Sequence, residues 1–380
     1  MRSEHGKKSL DMHRKTRGQF RSAPAVVVRN RKELSLAYTP GIAAVSSYLA
    51  KKPHEARNYT MKGRTIAVVS DGSAVLGLGN VGPYAALPVM EGKTTLFKAF
   101  AGVDAVPLVL STQDADEIVE TVVRIAPAFG GINLEDIAAP KCFDIERKLI
   151  ERLDIPVMHD DQHGTAIVVL AGLVNALKVV GKTLARIRIV IAGAGAAGAA
   201  TAHMLRAAGA RDIIVLDRKG IIGRKRKDLS PHKKELARFT NPSGLSGGLR
   251  EALEGADVVI GVSGPGLLRA ADIRRMAEGA IVFALANPVP EIMPEEARRG
   301  GAAVIATGRS DYPNQLNNSL AFPGVFRGAL DHRVRRITQA MKVCVAKNLA
   351  ALVKRPTAEK ILPDMFDKRI VPAVARAMKG

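Results

Sequence analysis

Two adjacent acids, Glu135 and Asp136, follow a short apolar run in the stretch GGINLEDI, residues 130–137. Adjacent side chains in a strand point to opposite faces, and in a helix they do not face each other, so these carboxylates converge only where the backbone turns. Two carboxylates at one point need a metal cation, a Lys or an Arg between them. The pair therefore predicts a metal site or an ion pair, with capping of a helix that begins at LEDIAAP as a further alternative.

A second acidic cluster ends a predicted strand in VMHDDQHGT, where His159 precedes Asp160 and Asp161. The carboxyl ends of neighbouring strands in an open α/β sheet face one crevice, so these acids are expected to meet the first pair. An all-oxygen set of ligands suits Mg²⁺ or Mn²⁺. His159 and His163 leave a zinc or dinuclear hydrolase site as an alternative.

The elements that must position these residues alternate between short apolar runs and helical stretches, which is typical of an α/β layered fold. The runs are rich in Val and Ile, as are parallel strands covered on both faces. The predicted strands are 64–70, 105–111, 155–160, 186–193, 212–217, 256–262, 280–286 and 302–308. A long helix is predicted over residues 164–182, with Gly181 as its stop signal.

The 380 residues are long for one hydrophobic core, so two domains are expected. We place the boundary near residue 160. This gives an N-terminal α/β domain over residues 15–160 that carries the acids, and a C-terminal Rossmann-type domain with a parallel sheet over residues 161–380. The segment from residue 360 onward is expected to form a last helix that returns to the first domain.

Two glycine patterns could bind a dinucleotide, and their context separates them. GAGAAG, residues 193–198, follows an uninterrupted strand, opens a helix and precedes a strand that ends in Asp217. In such a Rossmann unit, glycines let the pyrophosphate approach the helix N-terminus. The expected contacts are Gly193, Ala194, Gly195, Ala196, Ala197 and Gly198. GLGNVG, residues 77–82, is interpreted as a tight turn that packs a helix or presents backbone amides to a substrate anion.

The acid that ends this strand leaves the choice of dinucleotide open. Asp217 would hydrogen-bond an adenosine ribose and thereby favour NAD. The next segment, however, offers basic side chains for the 2′-phosphate of NADP: Arg218, Lys219, Arg224, Lys225 and Arg226.

Composition narrows the classes of function. Apolar residues make up 47% of the chain, as in packed globular proteins. The net charge of +21 suggests a nucleic-acid partner, but the charge is spread along the chain, aromatic residues are only 4% and no nucleic-acid-binding motif stands out, so none is expected. The longest nearly apolar stretch, 166–180, contains Asn175 and Lys178 and is shorter than a membrane span, so no transmembrane helix is expected.

The start of the chain and its cysteines indicate a cytoplasmic protein. Residues 1–24 are basic without an apolar core, which excludes an ordinary secretory signal. A disordered or partly ordered arm is expected there, with an organelle transit peptide as the alternative. Cys142 and Cys344 are far apart and lack a CxxC context, so both are expected to be reduced thiols.

Longer motifs resemble those of the malic enzymes, in particular the small prokaryotic form. In chain order they are LSLAYTPGIA (34–43), SDGSAVLGLGNVG (70–82), LPVMEGKTTLFKAFAGVDAVPL (87–108), FGGINLEDIAAPKCF (129–143), HDDQHGTA (159–166), FALANPVPEI (283–292) and ATGRSDYPNQLNNSLAFPGVFRGAL (306–330). The resemblance runs from about residue 20 to the C-terminus. It implies oxidative decarboxylation of L-malate to pyruvate and CO₂ with NAD or NADP and a divalent metal.

The resemblance also implies roles for single residues. Glu135, Asp136 and Asp161 match the metal ligands of the family. Asp160 matches an acid that lies behind the ligands, near the catalytic lysine.

Lys93 of EGKTTLFK matches the general base of the family, and Tyr38 of AYTPG matches its general acid. Asn287 and Asn318, together with Lys93, match residues that touch the substrate, and Asn287 also matches a contact of the nicotinamide. A nearby dication and partial burial are expected to lower the pKa of Lys93, whereas Asp160 opposes that shift.

One departure from the family concerns the C4 carboxylate of malate. Ala74 and Val75 stand where larger malic enzymes carry an arginine that holds a substrate carboxylate. The expected anchors are therefore backbone amides of residues 72–82 or a basic side chain from another subunit. His163 is assigned no role.

The resemblance implies a homodimer. Because the chain stops soon after residue 360, we expect no phosphotransacetylase-like extension. A malolactic enzyme, which converts malate to lactate without net cofactor reduction, shares the fold, metal and cofactor and is the main alternative. A Rossmann dehydrogenase for another 2-hydroxy acid is a more distant one.

Overall fold

The computed structural model describes residues 4–75 and 77–379. The first three residues of the predicted N-terminal arm, Leu76 of the GLGNVG region and Gly380 of the predicted second domain lie outside the described residues. Within the described ranges the strands form two sheets, each covered by helices. The chain is thus an α/β protein with two domains, as predicted.

The first sheet has the strand order β2-β1-β3-β4, and all of its strands are parallel. Its strands are β1 Thr65–Ser70, β2 Asp104–Val109, β3 Gly131–Leu134 and β4 Val157–His159. β3 pairs with β4 so that Leu134 lies opposite His159. The acids that follow these two strands therefore leave the sheet side by side, as the sequence predicts.

The second sheet has the order β10-β9-β8-β5-β6-β7, in which only the short β7 is antiparallel to its neighbour. Its strands are β5 Arg188–Ala192, β6 Asp212–Asp217, β7 Gly220–Ile221, β8 Val258–Gly261, β9 Ile281–Ala284 and β10 Val304–Thr307. The chain order reverses between β5 and β8. In doubly wound sheets such a switch point opens a crevice at the carboxyl ends of the strands, where ligands bind.

Helices cover both sheets and supply the longer connections. They are α1 Glu4–Thr16, α2 Arg31–Ala37, α3 Gly41–Lys51, α4 Ala56–Tyr59, α5 Gly82–Ala101, α6 Ala115–Ile125, α7 Lys141–Arg152, α8 Asp160–Val180, α9 Ala196–Ala207, α10 Pro231–Phe239, α11 Leu249–Leu253, α12 Ala270–Ile273, α13 Pro294–Arg299, α14 Phe322–Asp331, α15 Gln339–Ala351 and α16 Ile370–Arg376.

Helix α8 begins at the predicted domain boundary and ends before Gly181, whose φ of 68° gives the left-handed cap that a glycine adopts freely. It is the one helix of the described residues that is long and apolar enough to cross a membrane, by length and composition alone. Most of its side chains are buried, and they join one apolar cluster with residues of β1 and β5. Its apolar character is therefore explained by its place in the core.

The N-terminal segment, residues 4–64, contains no fully buried residue. Residues of the predicted arm form α1, so this part of the arm is helical, and the backbone of Gln19 then donates to Glu91 of α5 at 2.9 Å. Many large apolar side chains of the segment are exposed: Leu10, Met12, Phe20, Val26, Val27, Val28, Leu34, Leu36, Tyr38, Ile42, Tyr59 and Met61. This segment thus presents an apolar surface to the outside of a single chain.

The C-terminal segment returns to the first domain, where the Phe366 ring lies 5.8 Å, centroid to centroid, from that of Phe100 in α5. Its α-helix, α16, is shorter than the helix predicted from residue 360 onward, because it begins only at Ile370. α16 buries Val374 against Gly324 of α14. α14 in turn places Phe322 at 4.8 Å, centroid to centroid, from Phe97 of α5. Both cysteines are free.

Candidate active site

Three carboxylates meet at the carboxyl end of the first sheet. Each of Glu135, Asp136 and Asp161 offers a ligand atom, and these atoms lie within 4.8 Å of one another. The backbone turns sharply after β3, because Asp136 has a φ of 54° in the left-handed region. The Asp136 amide donates to Asp161 Oδ2 at 2.8 Å, which fixes the turn against the start of α8. Adjacent acids converge here through a backbone turn, as the sequence argument requires.

The helix-capping alternative is wrong, because α7 begins only at Lys141 and Pro140 is its N-cap residue. The histidine-containing site is not supported either. Within the described ranges, the groups close enough to share an ion are carboxylates. His163 donates or accepts instead at Glu146, 2.9 Å away. The oxygen donors of this cluster match the ligand preference of Mg²⁺ and Mn²⁺, so the residues present fit such an ion.

Lys93 of α5 lies against the carboxylates and is 93% buried, with 7% of its surface exposed. Its Nζ donates to Glu135 Oε1 at 2.7 Å and also contacts Asp160 Oδ2. The ammonium lies 4.0 Å from the centroid of the Phe322 ring, which closes the other side. Both interpretations of the acid pair are therefore realised at one place, since the same cluster forms an ion pair and offers ligand atoms.

The electrostatics of this cluster differ from the sequence expectation. Burial disfavours the charge of Lys93, but Asp160, Glu135 and Asp161 outweigh it, and the pKa of Lys93 is raised rather than lowered. Burial also raises the pKa values of Glu135 and Asp160, and the contacts of both acids with Lys93 offset that rise only in part. The expected lowering of the pKa of Lys93 included repulsion by a bound dication, whereas the carboxylates of the protein stabilise the ammonium.

Sequence reasoning missed Asn133, whose side chain points from β3 toward the carboxylates. Its Nδ2 donates to Glu135 Oε2 at 2.9 Å, so it orients the carboxylate while Lys93 holds the other oxygen. The residue is fully buried. A polar residue within an otherwise apolar strand, two positions before an acid on the same face, was the signal that could have identified it.

Gly164 of α8 provides the space in which Asp160 and Asn318 meet. A Cβ at this position would lie 1.9 Å from Asp160 Oδ1 and 3.0 Å from the Asn318 Cβ. We expect Gly164→Ala to lower the free energy of unfolding by about 1–3 kcal/mol, because both side chains must move in a packed core. Urea denaturation measures this change.

Gly92 of α5 is the matched control, since a Cβ there has no neighbour within 4 Å. Gly92→Ala should raise the free energy of unfolding by about 0.4–1 kcal/mol through the lower entropy of the unfolded chain. Equal stability of Gly164→Ala and the unsubstituted protein would contradict the close packing described around Asp160.

Tyr38 is not brought to this cluster within one chain. It follows α2, and 67% of its surface is exposed. Within the described ranges its hydroxyl makes no hydrogen bond, whereas Lys93 is enclosed by Glu135, Asp160 and Phe322. The remaining predicted residue of the cluster, Asn318, begins a short 3-10 turn beside Asp160.

The GLGNVG segment forms a tight glycine turn, as predicted. Gly77, Gly79 and Gly82 have φ values of 75°, 77° and 72°. A Cβ on Gly77 would lie 2.9 Å from the Asn287 carbonyl oxygen, so this turn packs against the loop that carries Asn287. Most of the described backbone amides over 72–82 already donate within the protein, which leaves those of Gly77 and Asn80 as candidates for a substrate anion.

A cavity of about 840 Å³ opens at the switch point of the second sheet. Gly193, Ala194 and Gly195 line it, and Ala196 begins α9 with Gly195 as its N-cap residue. Gly193 has a φ of 129°, and a Cβ on Gly198 would lie 1.9 Å from the Gly193 carbonyl oxygen. The glycines thus allow a close approach of backbone and ligand at a helix N-terminus, which fits a dinucleotide pyrophosphate.

The ends of this cavity hold further predicted residues. Asp217 ends β6 and lines the cavity, together with Arg218 and Lys219. Ala139 and Pro140, which precede α7, line it from the first domain. The cavity therefore begins beside the turn that follows Glu135 and Asp136, and residues of both sequence-predicted domains line it.

Comparison with known proteins agrees with this geometry. The chain matches the family descriptions "Malic enzyme, N-terminal domain" over residues 17–150 and "Malic enzyme, NAD binding domain" over residues 162–378. It is 54% identical over 363 residues to a Geobacillus stearothermophilus protein named NAD-dependent malic enzyme, covering 95% of this chain and 76% of that one. It is 53% identical over 373 residues to a Bacillus subtilis protein named bifunctional malic/malolactic enzyme, covering 97% and 91%.

Other relatives, from 42% to 51% identical, are named NADP-dependent malic enzymes. Among solved structures, the NAD-dependent malic enzyme of Thermotoga maritima superposes with a TM-score of 0.95 at 49% identity. That superposition covers 98% of this chain and 99% of the other.

Proposed function

The chain belongs to the malic enzyme family, and we propose that it converts L-malate to pyruvate and CO₂ with NAD or NADP as oxidant and Mg²⁺ or Mn²⁺ as metal. In this reaction the C2 hydrogen of malate leaves as a hydride, the hydroxyl proton goes to a base, the C3–C4 bond breaks and C3 gains a proton. The observation that carries the proposal is the buried Lys93, held against three carboxylates that can bind a dication.

Glu135, Asp136 and Asp161 would hold the metal, since their carboxylates come within 4.8 Å of one another. When bound, the dication would polarise the C2 oxygen and attract the electrons released as CO₂ departs, while the nicotinamide takes the hydride. Asn133 keeps Glu135 in position through its 2.9 Å hydrogen bond.

Lys93 is proposed as the general base that takes the hydroxyl proton of malate. The carboxylates stabilise its ammonium form, and a bound dication would favour the neutral amine that accepts the proton. The contacts of its Nζ with Glu135 and Asp160 hold the amine beside the metal ligands. Asp160 is fully buried and positions the amine rather than binding the ion. Asn287 and Asn318 are proposed to contact the substrate, and Asn287 also the nicotinamide.

Tyr38 is proposed as the acid that protonates C3, and its exposure suggests how it reaches the site. We propose a homodimer in which residues 4–64 cover a second copy of the chain and Tyr38 approaches the partner's Lys93. The exposed apolar side chains of this segment support that arrangement, because ordered helices with no buried residue need a surface to cover them.

The anchor of the C4 carboxylate of malate is proposed to combine the free backbone amides of the glycine turn with a basic side chain. Ala74 and Val75 offer no charge at the place where larger malic enzymes carry an arginine. Within the described part of 72–82, the amides of Gly77 and Asn80 remain available to an anion.

A malolactic activity is the second candidate function, since one relative is named a bifunctional malic/malolactic enzyme. The fold, the carboxylate cluster and the dinucleotide cavity serve both reactions. The two differ in whether pyruvate and the reduced cofactor leave the protein or react with each other to form lactate.

Absorbance of reduced nicotinamide tests the proposed function. With L-malate, Mn²⁺ and either NAD or NADP, we expect cofactor reduction together with an equal amount of pyruvate. A chelator should abolish the reaction and excess Mn²⁺ should restore it, because three carboxylates alone cannot polarise the C2 oxygen. Malate that disappears into lactate without an absorbance change would favour the malolactic reaction, and no loss of malate would contradict both.

A further inference from the structure

The adenosine end of the dinucleotide cavity has a charge arrangement that the sequence alone does not reveal. Asp217 ends β6 there, and the glycine motif leads one to expect its carboxylate on a ribose. A carboxylate has two oxygens and about four acceptor sites. A ribose contact therefore requires that some of these sites be free.

The acceptor sites of Asp217 are filled by the protein itself. Oδ1 accepts from the Lys219 amide at 2.9 Å and from Arg226 Nη1 at 2.8 Å. Oδ2 accepts from Arg226 Nη2 at 3.2 Å and from Lys233 Nζ at 2.6 Å. Each oxygen thus has two donors, and a ribose hydroxyl would have to displace one of them.

The ion pairs also compensate the charge that would repel a phosphate. Burial opposes the ionised form of Asp217, but the hydrogen bonds from Arg226 and Lys233 lower its pKa to about 2. The carboxylate is therefore ionised at neutral pH, and the two cations compensate its negative charge. An acid that discriminates against a 2′-phosphate does so by repulsion, and here the repulsion is compensated.

Cations outnumber acids at this end of the cavity. Arg218, Lys219 and Lys233 line the cavity, and Arg226 lies behind Asp217. Asp228 is the other acid of the lining and pairs with Lys219 and Arg226. Four cations thus face two carboxylates, and within the described ranges the exposed guanidinium of Arg218 makes no hydrogen bond.

We infer that this end of the cavity is a 2′-phosphate site, so that the chain binds NADP in preference to NAD. Lys233 and Arg218 supply the charge-assisted hydrogen bonds to the phosphate, and Asp217 holds Lys233 and Arg226 in place rather than binding the ribose. The inference rests on the proposed function, because it assumes that the cavity binds a nicotinamide dinucleotide.

Calorimetric titration with adenosine 2′,5′-bisphosphate and with 5′-AMP tests the inference, because the two probes differ only in the 2′-phosphate. We expect the bisphosphate to bind about 10- to 100-fold more tightly, as for one or more hydrogen bonds to a charged group. Lys233→Gln and Arg218→Gln should each reduce that ratio about 10-fold. They should leave the affinity for 5′-AMP nearly unchanged.

Lys225→Gln is the matched control, since Lys225 is exposed on the same basic segment but does not line the cavity. It should leave the affinity ratio unchanged. Equal or weaker binding of the bisphosphate would overturn the 2′-phosphate site, and so would an equal effect of all three substitutions.

The outcome is separable from that of the proposed function. Malate oxidation that proceeds only with NAD would overturn the NADP preference and leave the malic enzyme reaction intact. Binding of the bisphosphate by a protein that consumes no malate would support the 2′-phosphate site and overturn the malic enzyme reaction.

Discussion

Replacing Lys93 is expected to lower kcat for malate oxidation by about 10²- to 10⁴-fold, the range over which a positioned general base contributes. Lys93→Arg is the more direct test of proton transfer. It keeps a positive charge against Glu135 and Asp160, but a guanidinium does not release its proton under assay conditions. Lys93→Ala removes the charge as well, and it should cost about 3–5 kcal/mol of stability because two buried acids lose their partner.

Lys98→Ala on the same helix is the control, because Lys98 is exposed and pairs with Asp104 at the surface. Its kcat should stay within about twofold of the unsubstituted value. Thermal unfolding of each variant separates loss of chemistry from loss of fold. A small primary amine in the assay should partly restore Lys93→Ala, whereas full activity of Lys93→Arg would show that this amine is not the base.

Hybrid dimers are expected to reveal whether Tyr38 acts on the partner subunit. We expect Tyr38→Phe and Lys93→Arg to lose activity by about 10²-fold or more when each forms a dimer with itself, because each lacks one proton-transfer group. A hybrid of the two, purified through two different tags, should regain about half the activity of the unsubstituted dimer. In that hybrid one site combines an intact Lys93 with the intact Tyr38 of the other chain.

A second hybrid serves as the control, because each arrangement of Tyr38 predicts for it the reverse of what it predicts for the first hybrid. It pairs an unsubstituted chain with a chain that carries both substitutions. If Tyr38 acts on the partner, neither of its sites is complete and the hybrid is nearly inactive. If Tyr38 acts within its own chain, this hybrid keeps about half the activity and the first one gains none. A monomeric protein in solution would likewise contradict the shared site.

The sequence predicts the local elements well because their signals are local. β5, GAGAAG and the start of α9 lie within 20 residues, and strand, glycine turn and helix each have a pattern that neighbouring residues determine. The end of α8 before Gly181 is another such case, since one glycine provides the left-handed cap. The meeting of the two acidic clusters follows from a different rule, because parallel neighbours β3 and β4 end at the same edge of the sheet.

Other features depend on contacts between distant parts of the chain. The pKa of Lys93 is raised because Glu135 and Asp160, which are 42 and 67 residues away in the chain, lie on one ammonium. The spacing of Asn133 and Glu135 is visible in the sequence, but the hydrogen bond through which Asn133 orients Glu135 is seen only in the folded strand. The AYTPG motif likewise does not show that Tyr38 lies outside the cluster of carboxylates around Lys93.

The sequence by itself determined which residues are able to do chemistry, and the order of the elements that carry them. Residue type and spacing suffice for this, since the ability of a carboxylate to bind a cation and of a glycine to adopt a positive φ belongs to the residue itself. Only the tertiary structure decided how those residues are used. Asp217 has the position of a ribose acceptor, yet Arg226 and Lys233 occupy its oxygens, because charges are compensated by neighbours in space and not by neighbours in sequence.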